Sequence, residues 1–211
     1  MAAVARRRLR PEAATYYETT AVFPPDDDKG RFILVPRFFK PAETLEEHSK
    51  RDRVQYKRWV DEGLIIATPG NVVDYSYLRE SILEDQRLYE VEGAPYDPWN
   101  ATQLAVELSE KGLPVAEFIQ GLRSYTLPTK EFLNHLAATR FNHGNHPVLS
   151  WMASNLFVQK DKNENMMPTK AKSTGRIDGI TASIMALGAH LIAMIENTGN
   201  FGEDYEVPVW A

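Results

Sequence analysis

The sequence has no cysteine, which excludes a disulfide framework and a thiolate metal site. It has no G-x-x-x-x-G-K-[ST] and no G-x-G-x-x-G, so the phosphate cradles of an ATPase or a dinucleotide enzyme are missing. Neither H-E-x-x-H nor G-x-S-x-G occurs, which argues against a zinc protease or an α/β-hydrolase. No stretch approaches the ~18 consecutive apolar residues of a membrane span. The Arg-rich start, Met1 to Arg10, has no apolar segment behind it and does not read as a secretory leader. The expected setting is reducing and cytoplasmic, away from membranes.

The chain has 211 residues, of which 43% are hydrophobic and 25% charged. That predicts one globular domain with short terminal segments. The net charge of -5 hides an asymmetry. Residues 1–10 carry Arg6, Arg7, Arg8 and Arg10 without an acid, residues 37–58 carry seven basic side chains against four acids, and residues 159–176 carry five against two. After Arg176 there is no Lys or Arg. Basic stretches on an acidic chain suit phosphates while the rest stays soluble, and they equally suit a solvated surface.

The first stretch shows no period, and residues 1–17 are expected to be irregular. Ala21–Phe23 and Arg31–Phe39, joined by Asp26-Asp27-Asp28-Lys29-Gly30, predict a hairpin, with Pro36 marking an edge or a bulge. Thr44-Leu45-Glu46-Glu47 has capping-box spacing and predicts a polar helix to about Asp61. A short strand over 64–67 and a helix capped by Asp74 follow. The pattern then alternates: strand 89–96, helix 100–111 with Asn100 as cap, strand 114–120, and helix 128–138 with Pro128 at its first position. Val148–Val158 is ambiguous between helix and strand, Lys160–Gly175 reads as a Lys-rich loop, and Asp178–Ile195 has one apolar helical face. The tail over 197–211 is acidic. This order predicts an α/β fold of ribonuclease H-like kind, a mixed sheet with flanking helices and a doubtful first strand, over 18–196.

Two carboxylates stand out. Asp97 follows a strand directly, at the edge where α/β sheets place ligands, and Asp178 opens the last long helix. If they converge, they suit Mg²⁺ or Mn²⁺, hard cations that take oxygen ligands. Both also suit a turn or a helix cap. His143 and His146 read as loop residues, and Trp99 and Trp151 as packing residues.

From Thr44 to about Ala193 the sequence resembles the C-terminal nuclease domain of the large terminase subunit of tailed bacteriophages and prophages. The resemblance rests on Arg51-Asp52-Arg53-Val54-Gln55-Tyr56, Thr68-Pro69-Gly70-Asn71-Val72-Val73-Asp74-Tyr75, Tyr96-Asp97-Pro98-Trp99-Asn100-Ala101 and Gln120-Gly121. It continues through the stretch His146 to Asn155 and ends with Lys172 to Ile180. It implies a two-metal endonuclease that cuts concatemeric viral DNA during packaging, with Asp97 and Asp178 as catalytic ligands of two Mg²⁺ or Mn²⁺ ions. Lys170, Lys172 and Arg176, close before Asp178, are then expected to touch DNA phosphates. The implied partners are double-stranded DNA, a small terminase subunit, the portal protein and an ATPase motor normally fused upstream. The implied place is the cytoplasm of a bacterial host.

The chain departs from this pattern in two respects. It contains no phosphate loop, and its first-strand region, Leu9 to Ala21, lacks the apolar run and the Asp that the family carries there. Alignment on Thr20-Ala21 puts Glu12 at that Asp and Glu18 at a later acid. The competing reading is a catalytically impaired prophage remnant that only binds DNA or the packaging machine.

Overall fold

The computed structural model describes residues 3–6, 19–27 and 29–198. Among the described residues its centre is a six-stranded mixed sheet in the order Val115–Glu117 (β7), Glu90–Tyr96 (β6), Ala3–Arg6 (β1), Thr19–Phe23 (β2), Phe32–Arg37 (β3) and Phe141–Asn142 (β8). The expected hairpin forms from β2 (Thr19–Phe23) and β3 (Phe32–Arg37), paired antiparallel with Ala21 opposite Val35. Its strands alternate faces, as period-two geometry requires. Val22, Phe32 and Leu34 enter the main core, while Ala21 and Phe23 pack with Tyr89 on the other side. β8 (Phe141–Asn142) pairs only with Phe32 and Ile33. Pro36 therefore lies where β3 has no neighbour on its outer side, and its missing N–H costs no ladder bond.

Beside β2 lies β1 (Ala3–Arg6), parallel to β2 and antiparallel to β6 (Glu90–Tyr96). For Ala3–Arg6 this differs from the expectation that residues 1–17 are irregular. Four residues, Ala-Val-Ala-Arg, are too few to display an alternating pattern, and pairing on both edges is what makes them a strand. Residues 7–18, including Glu12 and Glu18, lie outside the described residues, as does the acidic tail after Thr198.

Layers of helix cover both faces. On one, α3 (Tyr75–Leu88) and α4 (Pro98–Ser109) bury Leu78, Ile82, Leu104 and Leu108 against Ala94 of β6. On the other, α5 (Leu122–Ala137), α6 (Pro147–Asn155) and α7 (Asp178–Thr198) enclose the larger core around Ile180, Ile184, Leu187, Phe118 and Phe132. α7 is the one helix among the described residues long and apolar enough to cross a membrane by length and composition. The sequence reading expected no such stretch, but the helix is apolar nearly all round because it is a core helix, with Ile184, Ala186 and Leu187 fully buried.

Several expected boundaries move. A single 3-10 turn (Ala42–Thr44) precedes α1 (Leu45–Asp52), and Thr44 makes no side-chain cap bond. Arg53 then adopts a left-handed conformation (φ 55°) and breaks the expected long helix into α1 and α2 (Tyr56–Asp61). α4 is capped by Asp97 rather than Asn100. α5 begins six residues before Pro128, which sits inside it. An interior proline costs about 3 kcal/mol in a bare helix, but the extra turn buries Ser124 and Tyr125, so tertiary packing overrides the local signal. Short strands also appear. β4 (Phe39–Pro41) pairs with β5 (Ile66–Thr68), β7 is Val115–Glu117, and β9 (Val158–Lys160) pairs with β10 (Met166–Pro168). The expected Lys-rich loop therefore starts as a hairpin whose turn is tied by Asp161, which accepts bonds from the backbone of Asn163 and Asn165.

Candidate active site

β6 and β7 run parallel, and the Phe118 N–H bonds the Tyr96 carbonyl at 2.8 Å. Their carboxyl ends therefore lie side by side, where open α/β sheets bind ligands. Asp97 follows β6 directly. Its Oδ1 accepts the Trp99 N–H at 3.1 Å, which caps α4, and its Oδ2 accepts Gln120 Nε2 at 2.9 Å. Both oxygens are thus oriented by the two strand ends.

Asp178 is the first residue of α7, where the helix dipole favours an anion. Its side chain is 13% exposed and forms an ion pair with Lys170. The place of α7 on the sheet is set by its first turns. Thr20 Oγ1 donates to the Gly179 carbonyl at 3.2 Å, and Ser183 Oγ meets Thr20 Oγ1 at 2.9 Å. In the ladder, Val4 of β1 stands opposite both Val22 of β2 and Gly93 of β6, and β2 and β6 run in opposite directions. Thr20 and Tyr96 therefore stand at the same edge of the sheet. The structure brings Asp97 and Asp178 to that one edge. Within electrostatic reach of both is the Tyr125 hydroxyl, buried without a hydrogen-bond partner among the described residues. Burial pushes this phenol well above its usual range, and the Asp97 and Asp178 carboxylates push it further.

The chain entering Asp178 is fastened by Asn155 at the end of α6. Its Nδ2 donates to the Arg176 carbonyl at 3.0 Å, and its Oδ1 accepts from the Thr174 hydroxyl at 3.2 Å. Gly175 lies against this amide, and a Cβ there would stand 2.8 Å from Nδ2. Of the three expected DNA contacts, only Lys170 sits on a carboxylate of the site. Lys172 Nζ lies 5.5 Å from the Phe157 ring centroid, and Arg176 Nε lies 3.7 Å from Asp52 Oδ2. Trp151 packs as expected, 5.6 Å from the Trp59 ring. Trp99 does not: it is 90% exposed, on the first turn of α4. His146 packs against Phe38 (5.3 Å), and burial lowers its pKa.

A family model described as the terminase large subunit, endonuclease domain, matches residues 16–193. The chain belongs to this family. It is 37% identical over 188 residues to the large terminase subunit of Enterobacteria phage HK97, covering 88% of this chain and 37% of that one. It is 28% identical over 173 residues to protein YmfN of Escherichia coli K12, covering 79% of this chain and 38% of that protein. The crystal structure of the HK97 large terminase superposes with a TM-score of 0.73 at 34% identity, over 89% of this chain and 38% of that one. The chain thus spans less than two fifths of the length of these relatives.

Two residues of the candidate site in this terminase domain escaped the sequence reading. Gln120 stands within the Gln120-Gly121 stretch of the resemblance, but its bond to Asp97 joins residues 23 positions apart. Tyr125 was hidden in a segment read as lying before a helix. Asp97 and Asp178 offer carboxylate oxygens, the ligand type that hard divalent cations take, and the sequence has no thiolate. Among the described residues no group of three acidic or histidine side chains gathers around one point.

One electrostatic consequence is measurable. The Arg51 guanidinium, the Tyr56 hydroxyl and Arg176 hold the Asp52 carboxyl down to a pKa of about 2. The lowered value means that Asp52 contributes stability fully above its unfolded value of 3.8, which is lost as pH falls toward 2. Asp52→Asn should cost on the order of 1–2 kcal/mol at neutral pH, allowing for solvent screening. The gap between variant and wild type, followed by thermal melting, should close as pH is lowered through that window. A constant gap would contradict the assignment.

Proposed function

We propose that the chain is a metal-dependent DNA endonuclease domain, which cuts concatemeric viral DNA during packaging in the cytoplasm of a bacterial host. The observation that carries this reading is the placing of Asp97 and Asp178 at one sheet edge, both acting on the buried Tyr125 hydroxyl. In this reading Asp97 and Asp178 hold two Mg²⁺ or Mn²⁺ ions, which when bound activate a water and stabilise the leaving oxygen of a phosphodiester. Gln120 and the Trp99 N–H fix the two Asp97 oxygens, so little rotamer freedom is lost on binding. Tyr125 presents a neutral hydroxyl that can donate to a carboxylate oxygen turned toward it. Lys170, 64% exposed in its side chain, swings from Asp178 to a DNA phosphate, and Lys172 and Arg176 extend the basic edge. The small terminase subunit, the portal protein and an upstream ATPase motor are the proposed partners.

A second reading, a module that binds DNA or the packaging machine without cutting, is favoured by one observation. The central strand β1 reads Ala-Val-Ala-Arg and carries no carboxylate to join the other two. Supercoiled plasmid with Mn²⁺ separates the readings. The expected result is slow nicking, because two carboxylates leave much of a two-ion charge unneutralised. Replacing Lys170, Lys172 and Arg176 by Ala should flatten the salt dependence of DNA binding by up to about 0.9 log unit per lost contact. Rapid cutting that survives Glu12→Ala and Glu18→Ala would place a third ligand elsewhere. Binding without any nicking would favour the second reading.

A further inference from the structure

Arg51, Asp52 and Arg53, at the end of α1, face Thr174, Gly175 and Arg176 across a cleft of about 430 Å³. Three guanidiniums and one carboxylate line it. The carboxylate is committed inward: Asp52 accepts Arg51 Nε on Oδ1 at 2.6 Å, and Arg51 Nη2 on Oδ2 at 3.0 Å. The same Oδ2 accepts the Tyr56 hydroxyl at 2.9 Å, with Arg176 Nε at 3.7 Å. Asp52 is only 15% exposed in its side chain, so it works as a bracket that orients two guanidiniums rather than as a free anion.

A guanidinium has five N–H donors. Arg51 uses its side-on edge on Asp52 and keeps the rest for the cleft, and Arg53 has no ion pair among the described residues. Arg53 ends α1 in a left-handed conformation (φ 55°) and lines the cleft. Next to Tyr56, Lys40, 7% exposed, lies 4.1 Å from the Tyr56 ring centroid and 3.3 Å from His48 Nδ1. Burial, and then Lys40 and Arg51, hold the His48 pKa down, so this imidazole stays uncharged at neutral pH.

Such a cleft suits a tetrahedral anion with several oxygens, which guanidiniums grip in parallel. Arg176 is two residues from Asp178, so the cleft opens within about 7 Å of chain from the carboxylate site. We propose that this cleft is a second seat for the DNA backbone, in which Arg51, Arg53 and Arg176 hold a phosphodiester beside the one being cut. The proposal rests on the nuclease reading and deepens it by naming the residues that set the register of the strand.

The test uses the full chain and a short fluorescein-labelled duplex in EDTA, with anisotropy followed against salt, and plasmid nicking in Mn²⁺ run in parallel. The wild type should bind with a steep salt slope. Arg53→Gln should flatten that slope by about 0.9 log unit, and Arg51→Gln/Arg53→Gln by up to about 1.8. If the wild type binds and nicks but both variants keep its slope, the cleft holds something other than DNA, such as an acidic peptide, and the proposal falls alone. If the wild type neither binds nor nicks, the nuclease reading falls and the cleft assignment with it. Should the double variant lose its circular dichroism signal, Arg53→Gln decides, since the Arg53 side chain is exposed and makes no bond among the described residues.

Discussion

Asp97→Asn and Asp178→Asn should each reduce plasmid cleavage in Mn²⁺ by more than about 10²-fold, the scale on which loss of positioning alone acts, while leaving the domain folded. The amide cannot supply the charge that a hard divalent ion requires. The fold should survive for reasons visible around each residue. At position 97, Asn is as good a cap as Asp. Its single oxygen can serve either the Trp99 N–H or Gln120, so about one hydrogen bond is weakened, at about 1 kcal/mol. At position 178 the loss includes a pair with Lys170, whose side chain is 64% exposed, worth roughly 0–1 kcal/mol, and the favourable position of a charge at the helix N-terminus, worth about 0.3–1 kcal/mol. Circular dichroism melts should therefore move little. A variant that melts far below wild type would make its carboxylate a structural cap; one that folds and cuts at the wild-type rate would remove it from the site.

Gly179→Val should produce the largest loss of stability, roughly 3 kcal/mol, or a fall in melting temperature of about 6–12 °C for a domain of this size. A Cβ at Gly179 would stand 2.9 Å from Phe38 Cε1 and 3.1 Å from Met152 Sδ. Both neighbours are enclosed, Phe38 2% exposed and Met152 3%, so making room means repacking the core. The first turn of α7 would lift from β2, breaking the Thr20 and Ser183 bonds that hold it there. Asp178 rides on the same turn, so residual nicking should fall as well. Gly179→Ala should show a smaller loss in the same direction. If Gly179→Val melts with the wild type, the close approach of helix and sheet is not what anchors Asp178.

The hairpin of β2 and β3 was legible because both segments are apolar and β-rich and the turn between them carries Asp and Gly. α3 was legible through Asp74, which caps it in the structure by accepting the Ser76 N–H at 2.8 Å, and α7 through its apolar period. Asp97 and Asp178 stood out because each adjoins the end of a strand or the start of a helix. The start of α5 was not legible, because Pro128 looks like a first residue until the burial of Tyr125 is known. Trp99 was misjudged for the opposite reason: a large apolar side chain reads as core until the fold leaves it in water.

By itself the sequence determined the alternation of strands and helices, the two acidic positions and the stretches that mark the family, because these are carried by near neighbours in the chain. Only the tertiary structure decided what those residues meet. The Thr20 bond to Gly179 spans 159 residues, that of Gln120 to Asp97 spans 23, and the Arg176 contact with Asp52 joins α1 to the entrance of α7. β1 is a strand only because two other strands complete its hydrogen bonds. Contacts of this kind depend on how the layers pack, and packing is a property of the whole chain that no local stretch of residues encodes.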